Sequence, residues 1–290
     1  MAERDMTKEE KLAVDYLPVS LADTVYTLCD ELPDGMAEIR LRCGGELSIT
    51  SGGENITCGI TCTRDEVDYT VGKLCKNSLY SQADSIIGGV ITTEYGIRAG
   101  VCGRAVLLDG KIVCVRDISS VCIRIPHRVP RAAEPLRDAV RDGKSILVHS
   151  PPGLGKTTVL RELALMISAE YKKRCAVIDT RYELSAMIGG GLCDVFLGYP
   201  RYDGIMSAVR TMSPEYVVCD EIYERGDVES LRYARASGVA VCASAHAEST
   251  DGLLKNESIS ALIRNEVFDI VCEIERRGKL FVRKVAEIIG

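Results

Sequence analysis

The chain has 290 residues, an apolar fraction of 46% and a formal net charge of −6. Such a length and apolar content suit one large or two medium domains with packed cores, which excludes a disordered chain. The acidic balance leaves no electrostatic footprint for non-specific nucleic-acid binding, so a nucleic-acid partner is not expected.

The first ten residues are charged and lead into no apolar run, so no signal peptide is expected. No uninterrupted apolar stretch approaches the roughly 18 residues of a membrane span. Residues 1–128 read as a smaller α+β domain. A helix is expected over 20–31, ended by Pro33-Asp34-Gly35, then strands over 37–42 and 46–50 around Cys43-Gly44-Gly45. Thr63-Arg64-Asp65-Glu66 spells a capping box. The helix it opens carries Val67, Val71, Leu74 and Cys75 on one face and is expected to reach about Leu79. Two strands, 97–108 and 111–118, flank Asp109-Gly110, a strong two-residue hairpin signal. Pro126, Pro130 and Pro135 punctuate the basic stretch 124–131, which reads as an interdomain connection. Its charges are either solvated surface or, by their place at the start of the second part of the chain, functional.

Residues 129–290 alternate strand and helix, the pattern of a parallel sheet. Strands are expected at 146–149, 175–179, 216–220, 239–245 and 270–275, with a last hairpin around Arg277-Gly278-Lys279. Helices at 157–170, 204–212, 227–237 and 257–264 fit between them. A doubly wound sheet of this kind places its ligand at the carboxyl ends of the strands.

Four of those ends carry candidate chemistry. Ser150-Pro151-Pro152-Gly153-Leu154-Gly155-Lys156-Thr157 stands between an apolar run and a helix, the context of a phosphate-binding loop. Its backbone N–H groups and the helix N-terminus would cradle a phosphate. Lys156 would reach the β- and γ-phosphates, and the Thr157 hydroxyl would ligate Mg²⁺. Ser150 stands where the first glycine of that pattern normally lies, adding a Cβ where the loop wants freedom. Tyr216 to Glu221 is an apolar strand ending in two carboxylates. Asp220 would hold the Mg²⁺ hydration shell, and Glu221 would orient and partly deprotonate the attacking water. Asp179, Arg181 and Glu183 alternate after a third strand, facing either the phosphates or a structural salt-bridge cluster. His246 ends a fourth strand, as a structural histidine or as a hydrogen-bonding sensor of the γ-phosphate.

The thirteen cysteines form no Cys-x-x-Cys pair, and many lie within apolar runs, such as Cys114 and Cys219. They read as buried reduced thiols rather than a disulfide framework or zinc site, implying a reducing cytosolic compartment.

The order of phosphate loop, acidic strand end, paired carboxylates and strand-end histidine resembles the secretion-type ATPases of type II and type IV systems. The details are closer to the stage III sporulation protein AA family of endospore-forming bacteria. That resemblance extends over both domains, through Glu38-Ile39-Arg40-Leu41-Arg42, Ser78-Leu79-Tyr80, Gly96-Ile97-Arg98-Ala99-Gly100, Gly103-Arg104-Ala105-Val106, Arg116-Asp117-Ile118-Ser119-Ser120, Leu160-Arg161-Glu162 and Arg210-Thr211-Met212-Ser213-Pro214-Glu215. It implies a RecA-like, AAA-type P-loop NTPase domain with a mostly parallel sheet, binding ATP and Mg²⁺. It implies a homo-oligomeric ring, a hexamer, that stays cytoplasmic and meets the membrane only through the membrane proteins of a sporulation secretion complex. Lys156, Thr157 and Thr158 carry over as phosphate and Mg²⁺ contacts, Asp220 and Glu221 as the Walker B pair, His246 as the histidine box, and Asp179 and Glu183 as an acidic box. Arg98, Arg104 and Arg124 become candidates for neutralising charge in the reaction, in the same or a neighbouring subunit.

The chain departs from that pattern at Ser150, at Thr180, where an acidic residue is expected, and at Thr92-Thr93-Glu94-Tyr95. These departures point to a slow enzyme, or to a scaffold that binds ATP with little turnover. The chain lacks the basic, aromatic-rich segment expected of a nucleic-acid motor, and shows neither the lid nor the acceptor-binding segment expected of a small-molecule kinase.

Overall fold

The computed structural model describes residues 5–76, 78, 82–93, 96–126, 129–185, 188, 191–223, 225–275 and 279–285. The chain divides into two units, Met1–His127 and Arg128–Gly290.

The first unit holds helices α1 (Lys8–Val14), α2 (Val19–Cys29), α3 (Arg64–Leu74) and α4 (Ala83–Ile87). Its strands are β1 (Glu38–Arg42), β2 (Glu46–Ser51), β3 (Glu54–Thr61), β4 (Val90–Thr92), β5 (Arg98–Leu108) and β6 (Lys111–Arg124). They form one antiparallel sheet in the order β3-β2-β1-β6-β5-β4. Thr63 caps α3: its hydroxyl accepts the Glu66 N–H at 3.3 Å, and the Glu66 carboxylate accepts the Thr63 N–H at 2.8 Å. Leu21 and Val25 of α2 and Val67 and Val71 of α3 share one core with Ile39, Leu41, Val121 and Ile123 of the sheet. Asp109 and Gly110 both take positive φ, 50° and 76°, the turn geometry that a two-residue hairpin requires.

Differences from the sequence expectation are local. α3 stops at Leu74, capped by the Cys75 N–H, and Leu79 lies outside the described residues, as do Tyr80, Glu94 and Tyr95. β6 continues past Ile118 to Arg124, because its later residues pair with β1 as well as β5. α1 and β3 had no counterpart in the sequence reading. β3 half-buries Ile56, Cys58 and Ile60 against the core with exposed residues between them, a short alternation, interrupted by Gly59, that the sequence reading did not single out.

In the second unit, a short 3₁₀ turn (Glu134–Leu136) leads into α5 (Arg137–Arg141), β7 (Ile146–Ser150) and α6 (Lys156–Leu165), which continues as a π-helical turn, Met166–Glu170. Then come β8 (Cys175–Asp179), β9 (Cys193–Leu197), α7 (Arg201–Thr211), β10 (Tyr216–Glu221), α8 (Arg225–Ala236), β11 (Ala240–His246), α9 (Thr250–Leu254), α10 (Glu257–Arg264), β12 (Ile270–Ile274) and β13 (Leu280–Lys284). The sheet order is β13-β12-β7-β11-β10-β8-β9; all neighbours are parallel except β12 and β13. Alternate residues of each central strand enter two cores. Val148, Val177 and Val218 pack with Leu160 and Leu163 of α6 on one face. Leu147, Ile178 and Cys219 pack with Ile205 of α7, Leu231 of α8 and Leu262 of α10 on the other. Both faces are therefore covered, which explains why these strands read as unbroken apolar runs. Full burial of one such aliphatic side chain contributes about 1.5–3 kcal/mol. β9 escaped the sequence reading because it is an edge strand, two of whose five residues, Asp194 and Val195, are exposed. Arg277 and Gly278 of the last expected hairpin lie outside the described residues. No helix among the described residues is long and apolar enough to cross a membrane.

Candidate functional site

The strand order puts β7, β11, β10 and β8 side by side. Their carboxyl ends are Ser150, His246, Asp220-Glu221 and Asp179, so four segments far apart in sequence become neighbours at one sheet edge. A cavity of about 410 Å³ opens there. Gly153, Gly155 and Lys156 of the loop, Thr157 and Thr158 of α6, and Asp220, Glu221 and His246 of the strand ends all line it.

The loop takes its shape from two glycines. Gly153 and Gly155 hold φ of 79° and 100°, a region that side chains rarely adopt. Gly155 is the N-cap of α6, so the helix begins at Lys156 with its first N–H groups free of intrahelical partners. Pro151 and Pro152 lead into this turn, Pro152 reaches the cavity, and Leu154 packs against the α6-side core. Ser150 does not behave as expected. It is the last residue of β7, paired with His246, it is absent from the positive-φ residues, and its hydroxyl donates to Pro151 O at 2.8 Å. The backbone here asks for no glycine, so the Cβ costs no conformational freedom.

Lys156 is almost fully buried. Its ammonium donates to Ser150 O at 3.1 Å and Pro151 O at 3.2 Å, and lies 2.8 Å from His246 Nδ1. On the other side of that ring, His246 Nε2 is 2.9 Å from Glu221 Oε2. The ring thus donates through Nε2 to the carboxylate and accepts the lysine proton at Nδ1. Burial lowers the lysine pKa below its ordinary value, and the Glu221 carboxylate partly offsets that. A cation left in this state is ready for a stronger anion.

β10 bulges between Val218 and Glu221, and the two acids at its end reach different partners. Glu221 faces His246 and the Arg181 guanidinium, the latter at 3.5 Å. Asp220 is buried, and burial raises its pKa while Arg201 opposes that rise. Arg201 holds only Oδ1, at 2.7 Å; Oδ2 is buried with no hydrogen-bond partner. That orphaned oxygen, with Thr157 lining the same cavity, fits a hydrated divalent cation carried in on a nucleotide. Among the described residues no group of three His, Cys, Asp or Glu side chains could hold a metal without such a ligand.

The third strand end departs from its expected form. The chain does not stay extended after Asp179 but turns, with Tyr182 at φ 59°. Asp179 is fully buried, and its two oxygens accept the backbone N–H groups of Glu183 at 2.8 Å and Ser185 at 2.7 Å. It ties down the loop rather than facing the cavity. Arg181 and Glu183 do line the cavity. Arg161 of α6 braces the same loop by donating to Glu183 O at 2.7 Å. The Thr180 hydroxyl is buried without a partner.

Arg98, Arg104 and Arg124 belong to the first unit. Arg104, on β5, is exposed and pairs with Asp117 at 2.7 Å, and Arg124, on β6, lies 3.5 Å from Glu38. Two residues escaped the sequence reading. Ser244 lines the cavity from β11, inside an apolar run that gave no signal. Arg201, which holds Asp220, lies just before the helix expected over 204–212 and nothing in the sequence singled it out.

The sequence profile described as sporulation stage III, protein AA matches residues 21–284. Stage III sporulation protein AA of Bacillus subtilis (strain 168) is 28% identical over 275 residues, 90% of each chain. Among solved structures, the ATPase DotB of Legionella pneumophila superposes with a TM-score of 0.61 at 14% identity, covering 97% of this chain and 81% of that one. The pilus retraction motor PilT with bound ADP gives 0.61 at 16%, covering 89% and 80%. The likeness to DotB and PilT is one of fold, that of secretion and pilus ATPases. With a match running through both units, the chain belongs to the sporulation stage III protein AA family.

Proposed function

We propose that this protein binds Mg-ATP at the carboxyl ends of β7, β11, β10 and β8 and hydrolyses its γ-phosphate. The observation that carries the reading is the chain Lys156–His246–Glu221 inside a cavity floored by a Gly-Lys-Thr loop. The loop N–H groups and the start of α6 bind the phosphates. Lys156 exchanges its two carbonyl partners and His246 for phosphate oxygens. His246, so released, hydrogen-bonds the terminal phosphate, while Glu221 orients the attacking water and takes its proton. Thr157 and the unpaired Asp220 oxygen would hold Mg²⁺, which would supply charge neutralisation to the phosphates. Positioning and electrostatics provide most of the rate.

By family, the work goes to a secretion-like complex assembled during endospore formation. The protein acts in the cytoplasm as a homo-oligomeric ring, a hexamer, docked on membrane partners, with Arg104 or a neighbouring arginine completing the site in the same or an adjacent subunit. A second reading, an ATP-dependent assembly scaffold, draws support from the third strand end, where Asp179 is committed to the loop and Thr180 supplies no carboxylate.

Phosphate release by purified protein decides between them. Glu221→Gln is expected to bind ATP but release phosphate about a hundredfold more slowly, the scale of a lost general base. Lys156→Ala is expected to bind no nucleotide. Wild type that binds ATP yet releases no more phosphate than Lys156→Ala would leave only the scaffold.

A further inference from the structure

Arg201 opens α7 with its side chain 6% exposed. Its Nε and NH2 both donate to one oxygen of Asp220, Oδ1, at 3.2 and 2.7 Å. NH1 donates to Asp227 Oδ2 at 2.8 Å, and the same oxygen accepts the Tyr223 N–H at 2.9 Å. The Tyr223 ring centre lies 5.4 Å from the guanidinium. One buried cation therefore joins the first turns of α7 and α8 to the carboxyl end of β10.

What matters is how the guanidinium uses Asp220. An arginine that forks across both oxygens of a carboxylate satisfies it completely. Here two N–H groups converge on Oδ1, and Oδ2 remains buried without a partner although Asp220 lines the cavity. A buried carboxylate oxygen left unpaired is costly. A helix-anchoring role alone would be met as well by the fork. Asp227 takes the remaining end of the guanidinium and keeps it from swinging onto Oδ2.

We propose that Arg201 is a positioning residue for the divalent cation. By pinning Oδ1 it fixes the Asp220 carboxylate in the orientation that presents Oδ2 to the cation's water shell, and Asp227 and Tyr223 hold Arg201 in that pose. This rests on the reading of Asp220 as the group that serves the Mg²⁺ of bound ATP.

The test titrates the full chain with a fluorescent ATP analogue, once in EDTA and once in excess Mg²⁺; the ratio of the two dissociation constants is the cation's contribution. Asp227→Asn is compared with the double variant Arg201→Gln/Asp227→Asn, which removes the guanidinium together with one carboxyl and so limits the risk of misfolding. The ratio is expected to be largest in wild type, smaller in Asp227→Asn, and lower again in the double variant by about tenfold, the scale on which outer partners of metal ligands act. Affinity in EDTA is expected to hold in both. Arg201→Lys, which keeps the charge but not the planar fork, should give an intermediate ratio. A double variant with the same ratio as Asp227→Asn overturns the proposal, as does Arg201→Lys with the wild-type ratio. So does an equal loss of affinity in EDTA and in Mg²⁺, the mark of a purely structural arginine. Failure of the nucleotide reading shows separately, as wild type that binds no analogue or binds it no better than Lys156→Ala.

Discussion

Beyond the end of β7, Lys156 directs its ammonium to Ser150 O, Pro151 O and His246 Nδ1, and the opposite ring N–H of His246, on Nε2, donates to Glu221. A single ring thus keeps the phosphate-binding cation and the proposed base engaged until a ligand takes the cation away. Beside this group, Ser150 is a strand residue whose hydroxyl satisfies the Pro151 carbonyl. Restoring the glycine of the common loop pattern should therefore gain nothing. Ser150→Gly is expected to lower stability by at most about 0.5–1 kcal/mol, the entropic cost of glycine in a strand, Ser150 being the strand's last residue. It is also expected to leave the ATP dissociation constant unchanged, and denaturant unfolding with nucleotide titration checks both. Tighter ATP binding would return Ser150 to the role of a defect in the loop.

Among the elements, α7 decides most about the site after the loop itself, because its first residue is Arg201. The helix lies close against β8 at Gly204, where an added Cβ would meet Ile178 Cγ2 at 2.6 Å and Tyr199 Cβ at 3.2 Å. Gly204→Ala must push α7 outward or force Ile178 from its rotamer, a kind of overpacking that costs about 1–3 kcal/mol. The same displacement moves Arg201 relative to Asp220. The variant is expected to melt at lower temperature and to need more Mg²⁺ for half-maximal phosphate release. Lower stability with an unchanged Mg²⁺ requirement would separate helix packing from the site. The closeness of α7 to β8 is invisible in the sequence, where Gly204 reads as an ordinary glycine in a helical stretch. The capping box of α3 and the Asp109-Gly110 turn were legible because each is closed by residues within four positions of one another.

For the molecule as a whole, thirteen free thiols in 290 residues make a sharp prediction about accessibility. Seven of them are buried and Cys102 alone is exposed. Burial also pushes the Cys58 thiol up to about 11 and those of Cys242 and Cys272 up to about 12, which keeps them protonated and unreactive. Native protein is expected to react rapidly with a thiol reagent at Cys102, and Cys102→Ser should remove that fast phase, as followed by absorbance. A fast phase that survives the substitution would mean that the strand-borne thiols open readily. The sequence by itself determined the two-part organisation read in this chain, the strand–helix alternation of the second part and the identity of Lys156, Asp220, Glu221 and His246 as candidates. Those features rest on local periodicity and on turn chemistry, which neighbouring residues carry. Only the tertiary structure decided that β7, β11, β10 and β8 are adjacent, that Asp179 turns inward to hold its loop, and that a buried arginine takes one oxygen of Asp220 and leaves the other. Strand order, burial and hydrogen-bond direction arise from contacts between residues distant in sequence, and no local pattern encodes them.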